Sequence, residues 1–420
     1  MKINKIQILV IILITFLLGY YLGTSKVSLA WKSYAPRLNI ESKDPPPSIS
    51  NVDFNHFWTV WQKLENTYYD KSKLDSQKML NGAISGMVQS LGDPFTVYLP
   101  PVQNSNFKEG MAGQFTGIGA ELGMKGNDVI VIAPLTGSPA EKSGIKSGDT
   151  IVKVNEDSAL GWSLTQAVEK IRGPKGTEVI LTVVHKDANK TSKIKITRDI
   201  ITIKSVDGWV KKISDVDKIS DSIKKENGEN TLTYIRLSQF GDSTNKDWTS
   251  LINDLNIKTT SSKNFKGIIL DLRNNPGGYL TDAVFISSEF LEIGKPVVSE
   301  DTGFDKKSLN VTRKGLFLNY PIVVLVNRGS ASASEIVAAA LRDNRKIKLI
   351  GETTFGKGTI QQAEDLGAGA GLHVTIAKWL TPNNEWVNGK GLKPDIAIDL
   401  DEKNKEIDTQ LEKAILELVK

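Results

Sequence analysis

The chain has no cysteine and only three histidines in 420 residues. Without cysteine there is no thiolate nucleophile, no disulfide and no cysteine-ligated zinc. The few histidines leave little for imidazole chemistry. His56 lies in an aromatic helical stretch, and His185 and His373 lie in apparent strands. None sits on a recognisable turn near an aspartate, and there is no H-E-x-x-H. A Ser-His-Asp triad would have to use His373 and is not expected; no metal site and no cofactor are implied. An excess of one charge is also lacking, with 53 basic residues against 48 acidic ones and a net charge of +5. With no basic block and no RNA-binding signature, a nucleic-acid partner is not expected. The phosphate-cradling glycine motifs G-x-x-x-x-G-K-[ST] and G-x-G-x-x-G in a first βαβ unit are missing too, and no internal repeat is visible.

What is present begins with one long apolar run. Ile6–Gly23, IQILVIILITFLLGYYLG, carries no charge. Its ~18 residues would span roughly 27 Å as a helix. Lys2 and Lys5 precede it, and Tyr20 and Tyr21 stand where an aromatic belt would. The positive-inside rule then keeps the N-terminus cytoplasmic. Residues 1–24 are expected to be a single-pass anchor in the cell membrane, with the working part extracytoplasmic. The alternative is a cleaved signal peptide, with Ser28-Leu29-Ala30 as a loose cleavage site and a secreted product.

Residues 25–52 read as a linker ending in SKDPPPSIS. Residues 53–103 carry apolar residues at helical spacing. Phe57, Val60, Trp61 and Leu64 mark one face, and Met79, Ile84, Met87 and Leu91 the next. Such faces predict core or dimer contacts, as does the amphipathic C-terminal helix in 401–420, so a homodimer is possible. Residues 104–200 read as a β-rich module with one helix, SLTQAVEKIRG. In 201–400 the buried strands TLTYIRL, GIILDL, IVVLV and KLIG alternate with helical stretches, which predicts a mostly parallel α/β core. Lys211–Asn230 and Thr259–Asn264 read as loops. The first is longer and more charged than a simple connection requires.

The chemistry concentrates in three segments. In NRGSASASEIVAAALRDN, a strand runs through a turn into a helix, with Ser330, Ser332 and Ser334 at the corner. A serine there sits at the positive end of a helix, where free N–H groups can stabilise an oxyanion. Ser332 and Glu335 also fit a capping box, so from this stretch alone Ser332 reads first as an N-cap worth about 1 kcal/mol. In TTFGKGTIQQ, Lys357 stands between two glycines. Taken singly it reads as a surface lysine; it replaces histidine as a general base only if burial neutralises its amine, a cost of about 4 kcal/mol. Gln361 stands where it would orient that amine. In GIILDLRNNPGGYL a buried strand ends in Pro276-Gly277-Gly278, which offers backbone N–H groups as an oxyanion hole or is a plain tight turn.

These segments, in this order, resemble the carboxyl-terminal processing (tail-specific) proteases, PDZ-containing serine peptidases. The likeness runs from about Asp53 to Asp399. It includes SLGDPFTVYLPP, FTGIGAELG, SPAEKSGIKSGDTIVKVN, IRGPKGT, DLRNNPGG, SASASEIVAAALRDN, TFGKGTIQ and LTPNNEWVNGKGLKPD. The resemblance implies a multi-domain α/β protein, with a helical N-terminal segment, a PDZ domain and a crotonase/Clp-like protease core. It makes Ser332 the nucleophile, Lys357 its base and Gln361 the orienting residue, with the N–H groups of Gly278 and Ala333 as oxyanion donors. Asp343 is read as structural. Gly117-Ile118-Gly119-Ala120 would capture a substrate's terminal carboxylate. The tail would then lie as a strand between Ile118–Leu122 and the helix bearing Leu164 and Val168. Arg172 would couple tail capture to the core. The implied activity is endoproteolysis of proteins or peptides with free apolar C-termini, by a Ser–Lys dyad. The alternatives are a catalytically silent PDZ binding or scaffold protein on the same fold, and a non-proteolytic hydrolase.

Overall fold

A computed structural model of the chain describes residues 11–16, 27–32, 35–40, 52–135, 137–185, 190–202, 204–399 and 406–420. It divides into two units, Met1–Leu80 and Asn81–Lys420. In the first, Ile11–Phe16 is helical, and the remainder of the apolar run Ile6–Gly23 lies outside the described residues. Among the described residues no helix is long and apolar enough to cross a membrane. Part of the expected linker is a hairpin, in which Val27–Lys32 pairs antiparallel with Ala35–Ile40. The helix Asn55–Thr67 buries no residue, so its aromatic face is not a core contact here. Instead Phe57, Trp58 and Trp61 pack on one another, with ring centroids 5.0 to 6.3 Å apart. The next helix, Ser76–Gln89, buries Val88, while Met87 and Leu91 of its expected face are exposed.

The β-rich module opens the second unit. Its antiparallel sheet runs in the order Thr191–Thr197, Glu178–Val184, Thr150–Val154, Asp128–Pro134, Ala120–Lys125. Val179, Leu181 and Val183 are fully buried at alternate positions of one strand, as a pleated strand with one covered face requires. Ser163 and Gln166 form a reciprocal capping box at the start of the helix Leu164–Ile171, which buries Ala167 and Ile171. Ala120–Lys125 is the edge strand, unpaired on its outer side within that sheet.

The core sheet has the order Val206–Lys212, Thr231–Leu237, Phe265–Asp271, Ile322–Val326, Lys348–Gly351, Ile396–Ala397. Its first pair is antiparallel and the rest parallel. Side-chain alternation divides the central strands between two hydrophobic layers. Ile268, Leu270, Val324 and Val326 face the layer of Trp248, Phe290, Ile336 and Val337. Ile269, Val323 and Leu325 face the layer of Leu411, Ala414 and Ile415. A second sheet, Lys306–Asn310, Pro296–Asp301, Ala370–Leu380, Thr359–Gly367, carries the lysine segment, and Val97–Leu99 pairs with Ala370–Leu380.

Two expected loops are ordered elements. Lys211–Asn230 completes a strand, makes a turn at Ile213–Asp215 and forms the helix Asp221–Asn227. Ile213, Val216, Ile219 and Ile223, dispersed among charges, are buried against the C-terminal helix. Thr259–Asn264 begins as the last turn of the helix Thr244–Ser261, where Thr259 is buried and its hydroxyl bonds Thr233 at 2.7 Å. The C-terminal helix Thr409–Val419 has its apolar face in the protein's own core, so that face is not available for a dimer.

Candidate active site

The strands Phe265–Asp271 and Ile322–Val326 are parallel neighbours, so the loops leaving their C-terminal ends emerge side by side. That edge is where ligands bind on sheets of this kind. Two of the three serines stitch these loops together. Ser330 Oγ donates to the Leu272 carbonyl and Ser334 Oγ to the Asn275 carbonyl, each at 2.8 Å, and both residues are fully buried. Ser332, between them, is half-buried and stands at φ 54°, ψ −116°. An ordinary serine N-cap adopts extended backbone; a non-glycine residue at positive φ is strained, a state that clusters at functional sites. Glu335 does accept the Ser332 N–H at 2.9 Å, as in a capping box, but around a backbone that capping alone does not require.

The glycine turn lies against this corner. A Cβ on Gly277 would stand 2.8 Å from Ser332 Cβ and 3.0 Å from Ala333 N. On Gly278, at φ 143°, it would collide with the Phe240 carbonyl oxygen at 1.7 Å. Phe240 grips the turn from both sides: its N–H donates to Gly277 and its carbonyl accepts from Tyr279. Among the described residues no acceptor takes the N–H of Gly278 or of Ala333. Ala333 is the first residue of the helix Ala333–Arg345, so its N–H lies at the positive end.

Lys357 reaches the corner from the other sheet, through Glu335. This carboxylate is fully buried, and its Oε2 accepts both the Ser332 N–H and the Lys357 N–H at 2.9 Å each. Its Oε1 accepts the Gly356 N–H at 2.7 Å and the Thr354 hydroxyl. Indole N–H groups of Trp379 and Trp386 hold the Lys357 and Gly358 carbonyls at 2.8 and 2.9 Å. Burial lowers the Lys357 amine from its ordinary value, opposed by the nearby Asp93 carboxylate. The amine stands 5.2 Å over the Phe95 ring. No hydrogen bond joins Lys357 Nζ to Ser332 Oγ or to Gln361 among the described residues. Gln361 Nε2 donates instead to Thr359 Oγ1 and Thr375 Oγ1 at 2.8 and 3.1 Å. Asp343 accepts from Arg342 Nε and the Asn383 N–H, a structural position.

The candidate peptide residues Gly117, Ile118, Gly119, Ala120, Leu122, Leu164, Val168 and Arg172 line one groove of about 260 Å³ in the β-rich module. The edge strand forms one wall and the helix Leu164–Ile171 the other. Gly119 turns at φ 74°, where a Cβ would meet Ser138 Cβ at 2.5 Å. The Arg172 guanidinium lies 5.2 Å over the Phe115 ring at the groove's end.

Sequence reasoning missed four contributors. Glu335 read only as a cap, and Asp93 and Phe95 had no assigned task within SLGDPF. The fourth is a buried ion cluster below the glycine turn. Arg273 bonds Asp271 and Asp408, and Tyr234 donates to Asp271 at 2.6 Å. Burial opposes the charge of Arg273, but Asp271 and Asp408 outweigh it and hold the guanidinium above its ordinary value. The one available signal was charge inside a buried strand end, DLR. Of the histidines, His185 bonds Asp149 at 2.8 Å in the β-rich module, and His56 lies in the first unit. His373 packs edge-on to Phe107, and no cluster among the described residues could hold a metal ion.

A PDZ-like groove beside an α/β core with a serine corner, a glycine turn and a desolvated lysine defines a class of serine peptidase. Family models agree: peptidase family S41 matches residues 231–398, the PDZ domain 108–184 and the N-terminal domain of the activating protease CtpB 14–101. The chain is 37% identical over 353 residues to the carboxy-terminal processing protease CtpA of Bacillus subtilis, covering 84% of this chain and 70% of the relative. It is 36% identical to CtpB of the same organism, covering 81% and 66%. A solved photosystem II D1 C-terminal processing protease is 31% identical, covering 84% of this chain and 90% of that one, with a TM-score of 0.49. The chain belongs to the S41 peptidase family, among its PDZ-containing carboxy-terminal processing proteases.

Proposed function

We propose that this protein is an extracytoplasmic endopeptidase that captures the free C-terminal tails of polypeptides in its PDZ groove and cleaves them with a Ser332–Lys357 dyad. The observation that carries the reading is the shared Glu335 oxygen, which pins the backbones of both residues to one point. The neutral Lys357 amine turns from Phe95 to Ser332 and takes the hydroxyl proton as Oγ attacks the peptide carbonyl. The N–H groups of Gly278 and Ala333 hold the oxyanion. The lysine ammonium returns its proton to the leaving amine, and a water, deprotonated by the same amine, releases the acyl group. Gln361, steadied by Thr359 and Thr375, keeps its side-chain oxygen as an acceptor for the ammonium. The tail adds as a strand along Ala120–Lys125, its carboxylate on the backbone at Gly117–Ala120 and its apolar end against Leu164 and Val168; Arg172 reports occupancy to the core. The run Ile6–Gly23 anchors the chain in the membrane, and the exposed aromatic helix Asn55–Thr67 is the face on which a second copy would pair.

The test is cleavage of a disordered polypeptide with an apolar C-terminus, together with fluorophosphonate labelling. Loss of both in Ser332→Ala, and of cleavage in Lys357→Ala, with melting unchanged and Ser330→Ala still active, supports the dyad. Cleavage by Ser332→Ala refutes it. A wild-type chain that binds tails without cleaving or labelling is the silent scaffold instead.

A further inference from the structure

Beside the glycine turn lies an acidic side chain that the mechanism does not use. Asp282, in the first turn of the helix Leu280–Ser287, is 5% exposed and takes no N–H from its own helix. Its Oδ1 accepts from Asn245 Nδ2 at 2.8 Å. Its Oδ2 is buried without a partner, and so is Asn245 Oδ1. These two orphans belong to the two side chains that share that bond. A proton on Asp282 Oδ2 donated to Asn245 Oδ1 closes a ring of two hydrogen bonds, as between a carboxylic acid and an amide. Without it, two acceptor oxygens are buried unsatisfied, which costs about 1–3 kcal/mol each.

The surroundings favour the neutral form. Burial pushes Asp282 up to about 6, with Asp242 adding and the Asn245 bond opposing. Asp242, on the loop preceding Asn245, accepts from the Tyr279 hydroxyl at 2.8 Å. On the helix Thr244–Ser261, Lys246 is exposed and Asp247 accepts from Ser243. On the other elements packed against Leu280–Ser287, charges are engaged elsewhere: Arg313 on Glu289 and the Phe285 carbonyl, Glu335 on the lysine loop, Arg342 on Asp343, Arg345 on backbone carbonyls, Asp301 on Lys378.

The ring's place gives it a task. Asn245 stands five residues after Phe240, which grips Gly277 and Tyr279, and Asp282 stands four residues after Gly278. We propose that Asp282 is a positioning residue that works as a neutral carboxylic acid, its proton shared with Asn245 to hold the Gly278 N–H in place. Ionisation sends that proton to solvent, turns the second bond into a repulsion between oxygens and loosens the turn. The positioning half of this proposal rests on Gly278 being an oxyanion donor; the shared proton does not.

Asp282→Asn keeps a ring, now between two amides, but cannot titrate. The full chain and this variant are compared from pH 4 to 7.5 by urea midpoint, and by kcat and KM on the disordered polypeptide with an apolar tail. A carboxyl held above its ordinary value gives the folded state more protons than the unfolded one, so stability falls as pH rises through that window. The wild-type midpoint should therefore fall relative to Asp282→Asn. The ratio of wild-type to variant kcat should fall severalfold while the KM ratio stays level, since Lys357 titrates in both. A pH-independent midpoint difference overturns the shared proton. A falling midpoint with a level kcat ratio, or a nucleophile other than Ser332, overturns the positioning role and leaves the proton pair standing. Should Asp282→Asn fail to fold, Asp282→Ser in place of it, which cannot titrate either, must likewise lack the wild-type fall of the midpoint.

Discussion

The protease core and the PDZ module surround their candidate sites with different things. The core encloses Asp271, Arg273, Glu335 and Asp282 around its candidate site, each 6% exposed or less. The PDZ module also buries Asp149 and Arg198, but neither lines its groove, which presents backbone, mostly apolar side chains and Arg172. Chemistry on a peptide bond needs fixed charge and aimed donors, which only buried, fully bonded carboxylates hold in place. Capture of a tail needs an open strand edge and a few apolar contacts. Substitutions in the core should therefore act on kcat or on folding, and those in the groove on KM.

The largest separation should come from Glu335. Glu335→Ala leaves the N–H groups of Ser332, Gly356 and Lys357 and the Thr354 hydroxyl without their acceptor, at a cost of at least about 3 kcal/mol in stability. Urea denaturation checks the cost. In the fraction that stays folded, turnover should drop by about 100-fold or more, since both halves of the proposed dyad lose one anchor. A variant as stable and active as wild type would remove the central joint of the site.

The next effect is on pH. If neutral Lys357 is the base, kcat/KM rises with pH through a limb lying below the ordinary lysine value, because burial disfavours the ammonium. Asp93 opposes that shift, so Asp93→Asn should lower the lysine further and move the acid limb to lower pH. Asparagine keeps an oxygen for the Phe95 N–H that bonds Asp93 Oδ1, and its amide nitrogen donates to the Thr96 hydroxyl that now bonds Oδ2. A limb that moves to higher pH, or stays put, would mean that the titrating base is not this lysine.

Much of this was legible in the chain because it repeats at close spacing. Period-2 and buried apolar runs marked the sheet strands, and the glycines, serines and lysine of the site lie in short segments whose local chemistry is explicit. What stayed hidden was long-range or disguised. Ile213, Val216, Ile219 and Ile223 are spaced among lysines and aspartates, so a packed element read as a solvated loop. The aromatic helix Asn55–Thr67 has a clear apolar face and nothing buried on it. Periodicity reports that a face exists; whether something covers it is a tertiary fact. Glu335 satisfied a capping pattern so well that its second task, gripping the backbone 21 and 22 residues on, left no separate trace.

The smallest effects should lie in the PDZ groove. Leu164 is 36% exposed at the groove wall, so its apolar surface is free to meet a tail. Leu164→Ala removes that surface, worth about 1–2 kcal/mol, and should raise KM roughly tenfold for a substrate ending in an apolar residue. Its kcat should stay at the wild-type level. Amidation itself should raise the wild-type KM, because Gly117–Ala120 would offer N–H groups to a neutral terminus in place of a charged one. If Leu164→Ala lowers kcat with KM unchanged, the groove acts on the catalytic step and the division between a capturing module and a cutting core fails. If only KM moves, specificity and chemistry are separable by region, as the two kinds of surroundings already suggest.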